Sequence, residues 1–276
     1  MINNYELTDV DFYKLRDIIY KEAGIKLSDV KKILMQSRLI KRLRELKLDN
    51  FTDYHEYLLS NFEKEKINFI NAITTNKTDF FRENDHFEFM KSRILPEFVN
   101  KNEKELRIWS AGCSTGEEPY TIAITLFEYF SGKVPPELLI LATDIDTQVL
   151  EKAQEGNYPA DHLADVDPKY LKAYFMRNEN EKGVFYKVRD QLKKIVYFRR
   201  LNLLSDEYPM KKKFDIIFCR NVIIYFDRET QKKLFDKYYS YLKDDGYLLI
   251  GHSENITSIT DKFILTGRTI YKKKAV

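Results

Sequence analysis

Two spacings of apolar residues divide the chain. Up to about residue 75 they fall three and four apart: Phe12, Leu15, Ile18 and Ile19, then Met35, Leu39, Leu43 and Leu46, then Tyr54, Tyr57, Leu58 and Leu59. Each set makes one stripe along a helix. The boundary residues agree. Thr8, Asp9 and Asp11 open residues 12–22 and Gly24 ends them, Ser28 or Asp29 caps residues 30–46, a third helix begins at Phe51, and a fourth spans about 63–73. Residues 1–75 are therefore expected to form a small all-helical domain. Past residue 105 the pattern becomes short continuous apolar runs at 106–111, 138–142, 195–198, 214–219 and 246–251, with helical segments such as 122–126, 149–154 and 230–242 between them. Continuous apolar runs mark strands covered on both faces. Two further runs, 263–265 and 268–271, follow each other without a helix. The fold class is α/β: a mostly parallel seven-stranded sheet with an antiparallel edge, preceded by a helical domain.

Residues 157–194 interrupt this alternation. Residues 170–175 look helical, and 184–188 alternate in polarity across a turn at 178–183. A small antiparallel hairpin, inserted at the rim of the sheet, is the expected result. The domain boundaries are thus 1–75 and 76–276, with 157–194 as an inserted β-subdomain.

The chemistry concentrates in LRIWSAGCSTGEEPY, residues 106–120. It is a strand, a glycine turn and a helix start with Pro119 in the first turn. In an open α/β sheet this arrangement builds a nucleotide pocket at the carboxyl ends of the strands. A phosphate-binding loop would place a lysine here. This one places Glu117 and Glu118, which repel a pyrophosphate and suit a cationic nucleoside. The alternative is that both acids only favour the helix N-terminus. The second strand decides between them. It ends at Asp144, 28 residues past Gly116, where an acid commonly holds ribose hydroxyls. S-adenosylmethionine (AdoMet), a nucleoside with a sulfonium and an ammonium and no phosphate, fits best, and a methyltransferase is the leading reading.

Composition narrows the setting. The 276 residues are 43% hydrophobic and 32% charged, as in globular proteins. No apolar run approaches the ~20 residues of a membrane span, and residues 1–6 show no secretory signal. Cys113 and Cys219 are expected as reduced thiols in the cytoplasm. His55, His86, His162 and His252 lack ligand spacing, so no metal is expected. A net charge of +3 requires no nucleic acid. Locally, however, Lys31, Lys32, Arg38, Lys41, Arg42, Arg44 and Lys47 face only Glu45. Arg38, Lys41 and Arg42 lie off the apolar stripe of their helix and are expected to dock an acidic partner. The segment 74–83, TTNKTDFFRE, is dense in hydrogen-bonding side chains and has the composition of a ligand-contacting loop.

With these segments in view the chain resembles the chemotaxis receptor methyltransferases, the CheR family. The matching stretches are TTNKTDFFRE (74–83), IWSAGCSTGEEPYTIA (108–123), ATDID (142–146), NLL (202–204), FDIIFCRNVIIYFD (214–227) and GYLLIGHSEN (246–255), in the family's order and across both domains. The resemblance implies a helical domain joined to a Rossmann-like AdoMet domain that esterifies glutamates on the cytoplasmic helices of chemoreceptors. It implies cofactor contacts from Asn76, Thr78, Arg82, Ala111 and Glu118, with Asp144 facing the ribose. Asn202 and Leu203 would flank the adenine, and Arg220 and Asn221 would complete the methionine side. Arg82 and Tyr225 would lie nearest the transferring methyl. In some members the β-subdomain tethers a receptor tail; the short turn at 178–183 lacks their longer Gly/Arg-rich loop, so tethering is not expected here. The protein is expected to act as a monomer.

Two rivals belong to other classes. A nucleic-acid methyltransferase would use the basic helix for phosphates, but amino-methylating DNA enzymes place an Asn/Asp-Pro-Pro-aromatic motif where this chain has Arg220, Asn221, Val222 and Ile223. A non-catalytic AdoMet-sensing adaptor would need neither Arg82 nor Tyr225, and both are present.

Overall fold

The computed structural model describes residues 5–132, 135–181 and 183–275. Residues 1–4, read above for a leader, lie outside them, as do Lys182 in the 178–183 turn and residues 133–134.

Four helices form the first domain: α1 (Asp9–Ala23), α2 (Lys32–Leu46), α3 (Phe51–Ser60) and α4 (Phe62–Ile73). Thr8 caps α1 by accepting from the Asp11 amide, and Gly24 ends it with φ 67°. A short 3₁₀ turn, Asp29–Lys31, leads into α2. Phe12, Leu15, Ile19, Met35, Leu39, Leu43, Tyr54, Leu58 and Phe69 converge on one core, as their spacing requires.

A linker then reaches α5 (Asp85–Phe89), a single π-type turn (Met90–Ile94) and α6 (Leu95–Asn100). The main sheet starts at β1 (Glu105–Ala111), followed by α7 (Glu117–Phe130), β2 (Glu137–Asp144) and α8 (Thr147–Glu155). After β3 (Asn157–Pro159) and α9 (Pro168–Tyr174), β4 (Phe175–Asn180) pairs antiparallel with β5 (Gly183–Val188), and β3 adds to the other edge of β5. The expected hairpin is thus a three-stranded sheet. β3, at three residues ending in Pro159, is too short to show a period. The chain returns through α10 (Asp190–Lys193), β6 (Val196–Arg200), β7 (Phe214–Cys219), α11 (Arg228–Tyr241), β8 (Leu242–Ile250), β9 (Phe263–Gly267) and β10 (Ile270–Lys273).

The main sheet has seven strands in the order β6-β2-β1-β7-β8-β10-β9. The first five strands of this order are parallel, and β10 and β9 close the other edge antiparallel. Among the described residues no helix is long and apolar enough to cross a membrane. The order reverses at β1: one crossover goes to β2 on one side, another to β7 on the other. A crevice outside the carboxyl ends of β1, β2 and β7 follows from that reversal.

The helical domain closes this crevice. The Asn202 amide donates to the Glu22 carbonyl at 2.8 Å, the Lys26 amide to the Tyr225 carbonyl at 2.9 Å, and the Tyr20 hydroxyl to Asp227. The linker is pinned from beneath. Buried Asp146 accepts from Thr74 Oγ1 at 2.7 Å and Asn76 Nδ2 at 2.8 Å while also capping α8.

Candidate active site

A cavity of about 540 Å³ fills the crevice, a size suited to a small-molecule ligand. Its floor is the glycine turn after β1. Gly112 (φ 88°) and Gly116 (φ 100°) hold left-handed conformations that L side chains rarely adopt, and a Cβ on Gly112 would strike Val222. This close approach lets the turn pass beneath the loop after β7.

The cavity gathers Asn76, Thr78, Arg82, Glu118, Asp144, Asn202, Leu203, Arg220, Asn221 and Tyr225, contributed by five separate chain segments. Ala111 is not among them. It is fully buried in the core, and Gly112 beside it lines the cavity instead. Of the two glutamates expected at the mouth, only Glu118 faces in. Glu117 turns to another side of α7, where it accepts from Thr115 Oγ1 at 2.7 Å and lies 3.6 Å from His162 Nδ1. Successive residues of a helix point about 100° apart, so both could not share one face.

The basic helix also differs from expectation. Arg42 forks onto the buried carboxylate of Glu65 at 2.7 and 2.6 Å. Arg38 donates to the Ile73 carbonyl and to Thr75 Oγ1, and it lines the cavity. Of these three candidate docking residues, Lys41 alone is fully exposed to solvent. Both arginines sit on the shoulder of the apolar stripe, where a long side chain lies along the protein before its head finds a partner. Neither is therefore available on an outer docking face.

Electrostatically the cavity has two ends. Burial raises Asp144 to about 6, against the opposing pull of the Ser114 and Asp146 amides. Burial likewise raises Glu118, partly offset by Arg220 at 3.2 Å. The helical domain's share of the lining carries Lys26, Lys31 and Arg38 and no acid. Sequence reading missed Lys26 because it falls between helices, outside any stripe. It also missed Glu254, the buried acid of GHSEN, which accepts from the amides of Asn221, Ile223 and Gly251 at 3.0, 2.9 and 2.6 Å. That carboxylate shapes the turn carrying Tyr225.

Glu83, His86 and His252, unrelated in spacing, place ligand atoms within 4.8 Å of one another. The Arg220 guanidinium already sits on Glu83 at 3.1 Å. Burial, and then Arg220, lowers buried His86 to about 4, so its ring is neutral and its Nε2–H donates to the Arg268 carbonyl at 3.1 Å. A guanidinium thus occupies the position of a counter-cation, and the cluster is an ion-pair hub.

The family comparison names the cofactor of the sheet domain. A model described as "CheR methyltransferase, SAM binding domain" matches residues 76–272, and one described as "CheR methyltransferase, all-alpha domain" matches residues 10–74. The chain belongs to the CheR family. The chemotaxis protein methyltransferase of Borreliella burgdorferi is 47% identical, covering 92% of this chain and 90% of the relative. Those of Salmonella typhimurium and Escherichia coli are 43% and 42% identical, each over 98% of this chain and 92% and 93% of their own. The chain therefore carries an AdoMet-binding methyltransferase domain, and the cavity lies within the residues that this domain spans and those of the helical domain before it. The cavity's donor set fits that cofactor: acids for a sulfonium and an ammonium, and no lysine at the glycine turn.

Proposed function

We propose that this protein transfers the methyl group of AdoMet to glutamate side chains on the cytoplasmic helices of chemoreceptors. The products would be glutamate methyl esters and S-adenosylhomocysteine (AdoHcy). The two-ended charge of the cleft carries this reading: acids from the sheet hold a cationic donor, while Lys26, Lys31 and Arg38 from the helical domain draw in a carboxylate.

The order of strands supports an orientation. Asn202 and Leu203, after β6 at one side, would flank the adenine, and Asp144 of β2 would accept from the ribose hydroxyls. Ser114, Glu118, Arg220 and Asn221, around β1 and β7, hold the methionine end, with Asn76 and Thr78 closing the linker side. AdoMet, when bound, would supply an electrophilic methyl, whose transfer to a carboxylate oxygen would leave the electron pair of the S–C bond on sulfur. The substrate carboxylate, with a pKa of about 4.3, is ionised at neutral pH, so no residue need act as a base. Tyr225 donates to one carboxylate oxygen and Arg82 orients the other, in line with the donor. Arg82 is already anchored to the Lys77 carbonyl at 3.0 Å and Arg38 to Ile73. Neither then clamps the carboxylate so tightly that its nucleophilicity is lost.

One chain completes the cleft with its own two domains, which supports a monomer. The receptor's cytoplasmic helices place the work in the cytoplasm. Recognition rests on the helical domain's wall rather than on a tail held by the inserted sheet. Incubation with methyl-labelled AdoMet and a receptor cytoplasmic fragment tests the proposal. Label should enter the receptor and leave in mild base, as an ester must. Base-stable label, or label entering nucleic acid, would reject it.

A further inference from the structure

Glu83 lies just outside the cavity lining, yet both of its oxygens are fully used. Oε2 accepts from Arg220 Nε at 3.3 Å and Nη2 at 3.1 Å, and Oε1 accepts from Asn221 Nδ2 at 3.4 Å and the His252 amide at 3.2 Å. Arg220 spends its other donors on Glu118 at 3.2 Å and on the Arg82 carbonyl, and its flat face covers Phe87 at 5.4 Å. Arg220 and Asn221 therefore meet the linker through one carboxylate. Glu83 itself has φ 53°, a left-handed conformation a side-chain residue adopts only when its surroundings impose it.

The charges explain why the carboxylate matters. Glu83, Arg220 and Glu118 together carry one net negative charge, which the α-ammonium of a bound amino-acid group would cancel. With Glu83 neutral, Arg220 would be left to Glu118 alone and would compete with that ammonium for its acceptor. Arg82, next in the chain, would also lose the anchor that its carbonyl shares.

We propose that Glu83 is a positioning residue that holds Arg220 and Asn221 at the amino-acid end of bound AdoMet and thereby fixes where its methyl points. The inference rests on the orientation given under Proposed function. Its effect is confined to one end of the ligand, since the adenine and ribose contacts lie across the sheet at Asn202 and Asp144.

Titration calorimetry on the full chain with two ligands tests it: AdoHcy, which carries the amino-acid group, and 5′-methylthioadenosine, which lacks it. Glu83→Gln should weaken AdoHcy about tenfold, the loss of one charge-assisted clasp, and leave 5′-methylthioadenosine within about twofold. Glu83→Asp, which keeps the charge and shortens the reach, should give a smaller loss with the same selectivity. It serves as the test should the glutamine variant fail to fold. Equal weakening of both ligands, or unchanged AdoHcy affinity, would overturn the proposal. No receptor enters this comparison, so failure to methylate glutamate would leave it standing.

Discussion

Asp144 is held where its charge is costly. Its pKa rises from 3.8 to about 6 through burial. A raised folded-state pKa means that its contribution to stability is full below about 3.8 and lost as pH climbs through 6. At neutral pH the ionised form therefore works against the fold, and a ligand with hydroxyls to donate relieves it. In the proposed orientation only that form would accept from both ribose hydroxyls. AdoHcy affinity measured by calorimetry should fall about tenfold between pH 7 and pH 5, as one proton on a group of pKa about 6 dictates. Asp144→Asn should flatten that profile. Tyr225 is argued to donate to the reacting carboxylate, so Tyr225→Phe should slow single-turnover methyl transfer about tenfold, the worth of one hydrogen bond, with AdoHcy affinity unchanged. That Asp144 and Asn202 line the cavity was legible because each stands at or just past a strand end, where the topology sends side chains into the crevice, while Tyr225 reaches it from a 3₁₀ turn (Ile223–Tyr225) after β7. The positions of Glu117 and Ala111 were not legible, since neighbours along a chain face different ways and sequence adjacency hides which one turns inward.

At the scale of the element, α2 shows the same limit. The stripe Met35, Leu39, Leu43 fixes which face is buried, and the core confirms it. It does not say where the shoulders go. Glu65 is 2% exposed and has Arg42 as its one cationic partner among the described residues, with the Tyr54 hydroxyl at 3.2 Å and Asn68 Nδ2 at 3.3 Å as weaker neutral donors. Arg42→Ala should therefore destabilise the protein by about 3 kcal/mol, the cost of stranding a buried charge. Lys41→Ala at the exposed neighbouring position should stay within about 0.5 kcal/mol. Thermal or denaturant unfolding of the two variants separates these outcomes. The five parallel strands were legible because burial on both faces writes an uninterrupted apolar run. The three residues of β3 leave no such record.

At the scale of the whole molecule, the helical domain forms one wall of the cleft. Its docking contacts come from the Tyr20 hydroxyl, the Glu22 carbonyl and the Lys26 amide in and after α1, and from Asn71 of α4 against Thr147; the sequence gives no sign of those made through backbone atoms. Lys26 and Lys31 are exposed at the cavity edge. Charges so placed act mainly on encounter and salt dependence. Reversing both to Glu should raise the receptor KM about tenfold at low salt and flatten its salt dependence, with AdoHcy affinity intact. A fall in AdoHcy affinity instead would point to an opened cleft.

The account depends most on one assignment, that the crevice at the strand ends orients AdoMet with its methyl toward the cationic wall. A crystal structure of the full chain with AdoHcy tests it directly. The predicted result has the ribose hydroxyls on Asp144, the amino group on Glu118, and the sulfur open toward Arg82 and Tyr225. A ligand bound in reverse, with adenine between Glu118 and Arg220, or bound outside this cavity, would contradict it.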